Sequence, residues 1–528
     1  MLIQSPIATI PPQRRVLLLG GSLLLLISAV GLLHWLRAGE PLALDQGLFA
    51  CFSRWVPRGA LPYRDLFDSK PPLFLYSWSL AAIVPGDLPL SMWRLETLWL
   101  LGSMAATFVL VRRLAGEVAG VASAALLLFG LWCPAWGGYW SRAQAEELAV
   151  LPMMLAAGVA LAPSGTAPTV RRLLVLGALT GVVGLFKIPT MAIAAAWPML
   201  WLEYGRRRAA VAAGWVVLGL ALPWAVVAVW FAAHGAFGDF VDGVFGYHRY
   251  NAQFIAPPWL PTIGTFALTL VTAVPELLVL ATVGLISLPK RERLFVGVWI
   301  AATATAVVLQ RQLAGYHYLL VIPGLAVAAG CGVASLGRAV AAGVPRRPGV
   351  AAVIALLALG LAVRGVLAWG NEYGPDLAYA RGQLSRASYL DTFERGTISP
   401  AMEDNLASWV RAHVPADATI LIWGLAPGVY ALADRAPATR YPFHKILMTE
   451  APLSRLIPGL DARRAELLAR IETDRPAVII VGRNDRNGFE PETSLESMVH
   501  WAPLMGLVKT HYELELEIGH FMVFRRRR

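Results

Sequence analysis

Apolar residues in this chain come in runs of about twenty, enough to cross a bilayer, separated by short polar or basic stretches. The runs near 16–36, 92–111, 118–134, 147–163, 173–187, 189–204, 211–233, 263–288, 294–310, 316–337 and 349–369 predict about eleven transmembrane helices. Residues 72–85 are apolar but short, and read as a helix lying along the outer surface of the membrane. The stretch from 173 to 204 reads as two helices hinged at Lys187-Ile188-Pro189. From Asn371 onward the long apolar runs stop and charge rises. There Met402 to His413 predicts an amphipathic helix, Ala418 to Trp423 a short strand and Val429 to Ala433 a helical turn. Asp461 to Ile471 predicts another helix and Ala477 to Val481 a second buried strand. That strand–helix–strand alternation is the signature of a small α/β domain. The expected fold class is therefore an α-helical polytopic membrane protein with a C-terminal α/β extracytoplasmic domain. Residues 1–370 would form the transmembrane domain and 371–528 the outer one.

Composition agrees: 57% of the 528 residues are hydrophobic, 19 are Trp, and the mean hydropathy is +0.58. The net charge of +11 raises nucleic acid as a partner, but the arginines cluster at the ends of apolar runs, where topology places them. Arg14-Arg15, Arg112-Arg113, Arg171-Arg172, Arg206 to Arg208, Lys290-Arg291-Arg293 and Arg338 with Arg346-Arg347 fall on one side if 72–85 does not cross. The N-terminus is then cytoplasmic, and the 37–91, 135–146 and 234–262 loops lie outside with everything after 370. Leu17 to Trp35 lacks a small-residue cleavage site and reads as a retained first span. Of the three cysteines, Cys51 and Cys133 lie in outer loops where a disulfide is open to them, and no Cys/His metal spacing occurs. Gly424 to Gly428 follows a strand without the spacing of a nucleotide loop and reads as a strand-to-helix turn. Arg525 to Arg528 read as a solvated chain end.

Charge is scarce, at 15% of residues, so the charged 37–91 loop is the place to look for chemistry. Arg37, Arg54, Arg58, Arg64, Lys70 and Arg94 stand outside, against the usual charge bias, and suit an anionic ligand such as a phosphate at the membrane surface. The competing reading pairs them with Glu40, Asp45, Asp65 and Asp68. Asp45 just outside the first span is either a proton acceptor or an N-cap for the helix that follows. Glu146 and Glu147 precede an apolar run, as a second acidic pair or as acids favoured by a helix start. Arg311, His317 and Tyr318 open a late span and face a phosphate or sugar, or form an interfacial belt. Asp239, Asp242, His248 and Arg249 are weaker candidates. The carboxylates are compatible with a divalent metal, though no spacing demands one and no other cofactor is indicated.

Asp45-Gln46-Gly47, Pro62-Tyr63-Arg64-Asp65 and Lys70-Pro71-Pro72-Leu73 together resemble the first outer loop of the polyprenyl-phosphate-sugar glycosyltransferases. These membrane enzymes of the GT-C superfamily include protein O-mannosyltransferases and the lipid A aminoarabinose transferase. Glu146-Glu147 before Leu151-Pro152, His317-Tyr318 before Pro323, and Ile422-Trp423-Gly424 strengthen the likeness to bacterial members. The resemblance implies an inner-membrane enzyme that takes a sugar from a polyprenyl phosphate and delivers it, with inversion, to an extracytoplasmic lipid, polysaccharide or protein. It implies that Asp45 is the first-loop acid, assisted by Glu147 or Glu146. It also implies that Lys70 lies near the donor phosphate, and Arg64, Arg94, Arg311, His317 and Tyr318 are expected to help hold that phosphate. Two departures stand out: Gln46 follows Asp45 where two adjacent acids are frequent, and Ser69 precedes Lys70 where the aminoarabinose transferase carries Glu. The rival from another class is a transporter or flippase for a lipid-linked sugar, for which Lys187 beside Pro189 is the candidate mid-membrane group. A non-catalytic assembly protein leaves the cation-rich loop unexplained.

Overall fold

The computed structural model describes residues 12–161, 168–201, 205–247, 257–342, 349, 352, 355–356, 359–360, 363–397, 399–444, 447, 459–486 and 492–528. His248 and Arg249 lie outside the described residues, as does much of the run expected at 349–369. Two compact units emerge, each gathered from separate stretches of chain. The first takes residues 1–37, 96–227 and 256–374; the second takes 38–95, 228–255 and 375–528. The first loop thus belongs with the C-terminal residues in one compact unit.

Six described helices are long and apolar enough to cross a membrane: Val16–Gly39, Leu90–Ala115, Glu117–Trp136, Arg206–Ala233, Lys290–Gln310 and Ile322–Ala341. Trp259–Ala273 and Pro275–Ser287 form a further pair bent by 93° where Pro275 cannot continue the ladder. The expected hinge at Lys187 is present. The Val170–Phe186 helix ends there, and Ile188–Leu200 follows as a 3₁₀-helix, a longer run than that geometry usually sustains. With no water to drive helices together inside a bilayer, contact depends on small residues that let backbones approach. In the first unit Gly284 and Gly332 bring Pro275–Ser287 against Ile322–Ala341, each lying on the other helix's backbone. Gly177 and Gly219 do the same for Val170–Phe186 and Arg206–Ala233.

In the second unit Pro72–Ser79 and the 3₁₀ turn Leu80–Ile83 make the short helix expected at 72–85, below spanning length. A four-stranded sheet contains β1 (Ile420–Trp423), β2 (Val478–Gly482), β3 (Tyr512–Ile518) and β4 (Phe521–Arg526), in the order β1-β2-β4-β3. β1 and β2 are parallel, as a crossover through the Leu460–Asp474 helix requires, while β4 runs antiparallel to both its neighbours. The basic chain end is therefore corrected: Arg525 and Arg526 lie in β4, and Arg525 pairs with Glu515 at 2.6 Å. Alternation in 512–526 is interrupted by a bulge at Leu514/Leu516 and by exposed charges, which hid the hairpin. The core gathers Leu421, Trp423, Leu467, Ile471, Ile479, Val481, Met498 and Tyr512, and Phe67 of the first loop is part of it. Cys51, Cys133 and Cys331 are all buried free thiols, so the disulfide open to Cys51 and Cys133 does not form.

The Leu44–Trp55 helix lies directly on Gly428–Ala433, and the contact is backbone to backbone. A Cβ at Gly47 would stand 2.7 Å from the Gly428 nitrogen and 2.8 Å from its Cα. Gly47→Ala should lower stability by about 1–3 kcal/mol, read as a fall in melting temperature in detergent micelles. Glu403, on the neighbouring Pro400–His413 helix, is buried, and burial pushes its carboxyl up to about 8. Its folded pKa exceeds its unfolded value, so its contribution is complete below the unfolded pKa and is lost as pH rises through 8. The melting temperature of Glu403→Gln relative to the parent should rise steadily from pH 5 to pH 8.5.

Candidate active site

Three first-loop residues, Asp45, Asp68 and Lys70, come together in the second unit. Asp45 is the second residue of the Leu44–Trp55 helix and half-buried. Ala43 occupies the N-cap position, and the Gln46 side chain accepts the Ala43 N–H at 3.1 Å. The N-cap alternative for Asp45 is thereby set aside, and among the described residues its carboxylate takes no hydrogen bond or ion pair. Asp68 is 6% exposed; its Oδ1 accepts the Lys70 N–H at 2.9 Å, while Oδ2 is buried with no hydrogen-bond partner among the described residues. Burial pushes the Asp68 carboxyl up to about 6. The Lys70 charge and N–H pull it down, Asp45 pushes it up, and the Ser69 N–H pulls it down. Asp45, Asp68 and Lys70 therefore share one electrostatic neighbourhood.

Local sequence fixes this geometry. Pro71 is extended (φ −61°, ψ 153°) and Pro72 opens the next helix, where a missing N–H costs nothing. The Lys70 carbonyl accepts the Tyr63 hydroxyl at 2.7 Å, and the Lys70 ammonium lies 5.8 Å from the Phe49 ring centre. Tyr63 has φ 72°, a strained value for a side chain of that size, and is held there by Phe231 at 5.4 Å and Phe240 at 5.9 Å. Tyr63 and Asp68 are the residues that sequence reasoning undervalued: Asp68 was weighed only as a counter-charge. The spacing Tyr63…Asp68-Ser69-Lys70-Pro71-Pro72 was the available signal.

The remaining loop cations are engaged. Arg64 is exposed and grips Asp65 at 2.8 Å, with a further bond to the His234 carbonyl at 3.3 Å. Arg94 bonds the Pro85 carbonyl, and Arg58 pairs with Asp434 at 2.7 Å. Asp239 and Asp242 pair with Arg440 and Arg463, respectively.

Glu146, Glu147, Arg311, His317 and Tyr318 belong to the first unit. Arg142, 1% exposed, meets Glu96 Oε2 through Nε at 2.8 Å and Nη2 at 2.5 Å, and gives Nη1 to the Arg37 carbonyl at 2.9 Å. Glu147 accepts Trp132 Nε1 and the Ala143 N–H, both at 3.0 Å. Glu146 meets Lys187 Nζ at 2.8 Å and faces His317 Nε2 at 3.7 Å. The His317 Nδ1–H donates to the Gln312 carbonyl. Arg311 bonds the Pro257 carbonyl and lies over Trp259, and Tyr318 stacks between Trp136 and Phe266. Among the described residues no group of three or more His, Cys, Asp or Glu could hold a metal ion.

The chain is similar to the crystal structure of ArnT from Cupriavidus metallidurans bound to undecaprenyl phosphate. The TM-score is 0.56 at 16% identity, covering 95% of this chain and 97% of that one. The apo structure of the same ArnT gives 0.55 at 15% identity over the same shares. This chain has the ArnT fold. No family model matches the sequence, and no curated protein sequence does.

Breaking a buried pair strands a charge in a medium that cannot solvate it. Lys187→Met should therefore cost about 3–5 kcal/mol, and adding Glu146→Gln should restore most of it, as measured by thermal unfolding in micelles.

Proposed function

We propose that the protein is an integral-membrane glycosyltransferase of the polyprenyl-phosphate-sugar class. It moves a sugar from the lipid phosphate to an extracytoplasmic acceptor (lipid, polysaccharide or protein) with inversion. The observation that carries the reading is the convergence of Asp45, Asp68 and Lys70 at the first loop. The ArnT fold over 95% of the chain supports it, since that relative was solved with undecaprenyl phosphate. In this reading the enzyme sits in a bacterial inner membrane with its N-terminus cytoplasmic and its catalytic loop outside.

Asp45, with no hydrogen bond or ion pair among the described residues, takes the proton of the acceptor hydroxyl. The hydroxyl oxygen forms the new bond to the anomeric carbon from the face opposite the phosphate. The old C–O bond breaks, and its electron pair leaves with the polyprenyl phosphate. Lys70 neutralises the charge that grows on that phosphate, held in place through the Tyr63 and Asp68 contacts to its backbone. Arg64 and Arg94 are carried as further phosphate contacts, each of which would have to give up its present partner, Asp65 and the Pro85 carbonyl respectively. Arg311, His317 and Tyr318 are carried as donor-side residues of the first unit. Glu146 and Glu147, already engaged by Lys187 and by Trp132 and Ala143, are carried as the acids that would assist Asp45.

Proteoliposomes supplied with radiolabelled polyprenyl-phosphate sugars and membrane extract test the proposal. Label should move from one donor to an acceptor, and Asp45→Asn should slow transfer by about 10²–10⁴-fold without unfolding the protein. Label that crosses the bilayer equally with both proteins, and never reaches an acceptor, would make the protein a flippase.

A further inference from the structure

The Val170–Phe186 and Arg206–Ala233 helices touch at Gly177 and Gly219, and toward their N-terminal ends a groove of about 430 Å³ stays open between them. Its walls are Leu173, Val211 and Ala212, with Trp201 and Trp215 as aromatic faces, and Arg207 and Arg208 stand at its rim. Both arginines are exposed, and among the described residues neither has a carboxylate partner. The volume falls in the range that small-molecule sites occupy. Chemically the groove is divided, with cations at one end and hydrocarbon and indole along the rest. The ligand that complements it is an amphiphile with an anionic head.

Its depth narrows the choice. Val170–Phe186 is 17 residues long, so about 25 Å of helix separates the groove from the Lys187–Glu146 pair at the other end. That is close to the thickness of a bilayer's hydrocarbon core, about 30 Å. The groove therefore opens at one membrane boundary, on the side of Arg171 and Arg206 to Arg208, where Trp rings and arginines commonly meet headgroups. Basic pockets between helices at that level recognise anionic lipid.

We propose that this groove binds an anionic phospholipid of the surrounding leaflet. Arg207 and Arg208 hold its phosphate, and an acyl chain lies against Leu173, Val211, Ala212 and Trp215. The site is distinct from the first-loop residues and does not depend on the glycosyltransferase reading.

Native mass spectrometry of the full-length protein, titrated with phosphatidylglycerol or phosphatidylcholine, tests it. The parent should retain phosphatidylglycerol in preference to phosphatidylcholine. Arg207→Gln with Arg208→Gln should weaken phosphatidylglycerol binding about thirtyfold, and Arg112→Gln with Arg113→Gln, which lack the groove, should not. Ala212→Trp, which fills the groove and leaves both arginines in place, should abolish retention; each variant's melting temperature checks that it folds. Equal retention of the two lipids would overturn the proposal. So would equal loss in both arginine pairs, which would reduce the effect to general attraction between basic helix ends and acidic lipid.

Discussion

A guanidinium sealed inside an apolar protein must find all its partners within the chain, and Arg142 sets that requirement for the first unit. Its bonds reach Glu96 and the Arg37 carbonyl, while Glu96 and Glu147 together receive the Ala143 N–H. Three separate stretches of sequence are fastened by one cation and its counter-charges. Ala143 at φ 50° is part of the arrangement, since the turn there aims its N–H at both carboxylates. Glu146, one residue before Glu147, faces the other way and binds Lys187 at the break between the α- and 3₁₀-helices. Two adjacent acids thus fix two different junctions of the unit.

The first loop solves a different problem. Among the described residues its acids are not all satisfied: Asp68 keeps one oxygen buried without a hydrogen bond, and Asp45 takes none. Such incompleteness is costly and persists where the surroundings enforce it. Here the enforcement comes from Tyr63, packed against the stacked rings of Phe231 and Phe240, and from the two prolines after Lys70.

Much of the fold was legible because a twenty-residue apolar run has few other uses, and because β1, β2 and the Leu460–Asp474 helix carry clean patterns. The β3–β4 hairpin was not, since its outward face is charged and its alternation breaks at a bulge. Nor could the short helices around 145–160 be separated by hydropathy from full spans. At the site, Asp45 and Lys70 could be read from their neighbours in sequence. Asp68 could not, because its importance lies in a buried oxygen, and burial beside Lys70 depends on Tyr63, Phe231 and Phe240. The grouping of the first loop with residues beyond 374 was likewise hidden, as it rests on contacts between positions hundreds of residues apart.

The Gly47–Gly428 contact bears on the order of events during synthesis. The helix that carries Asp45 emerges from the ribosome early, yet the surface it packs on is made several hundred residues later. Phe67 likewise waits for the sheet core around Trp423 and Val481. Until that late segment has been translated and delivered to the same side of the membrane, the first loop lacks its bed. A nascent or prematurely terminated chain can therefore insert its early helices and still hold no assembled site. The first loop gains its packing surface only once the segment around Gly428 has arrived.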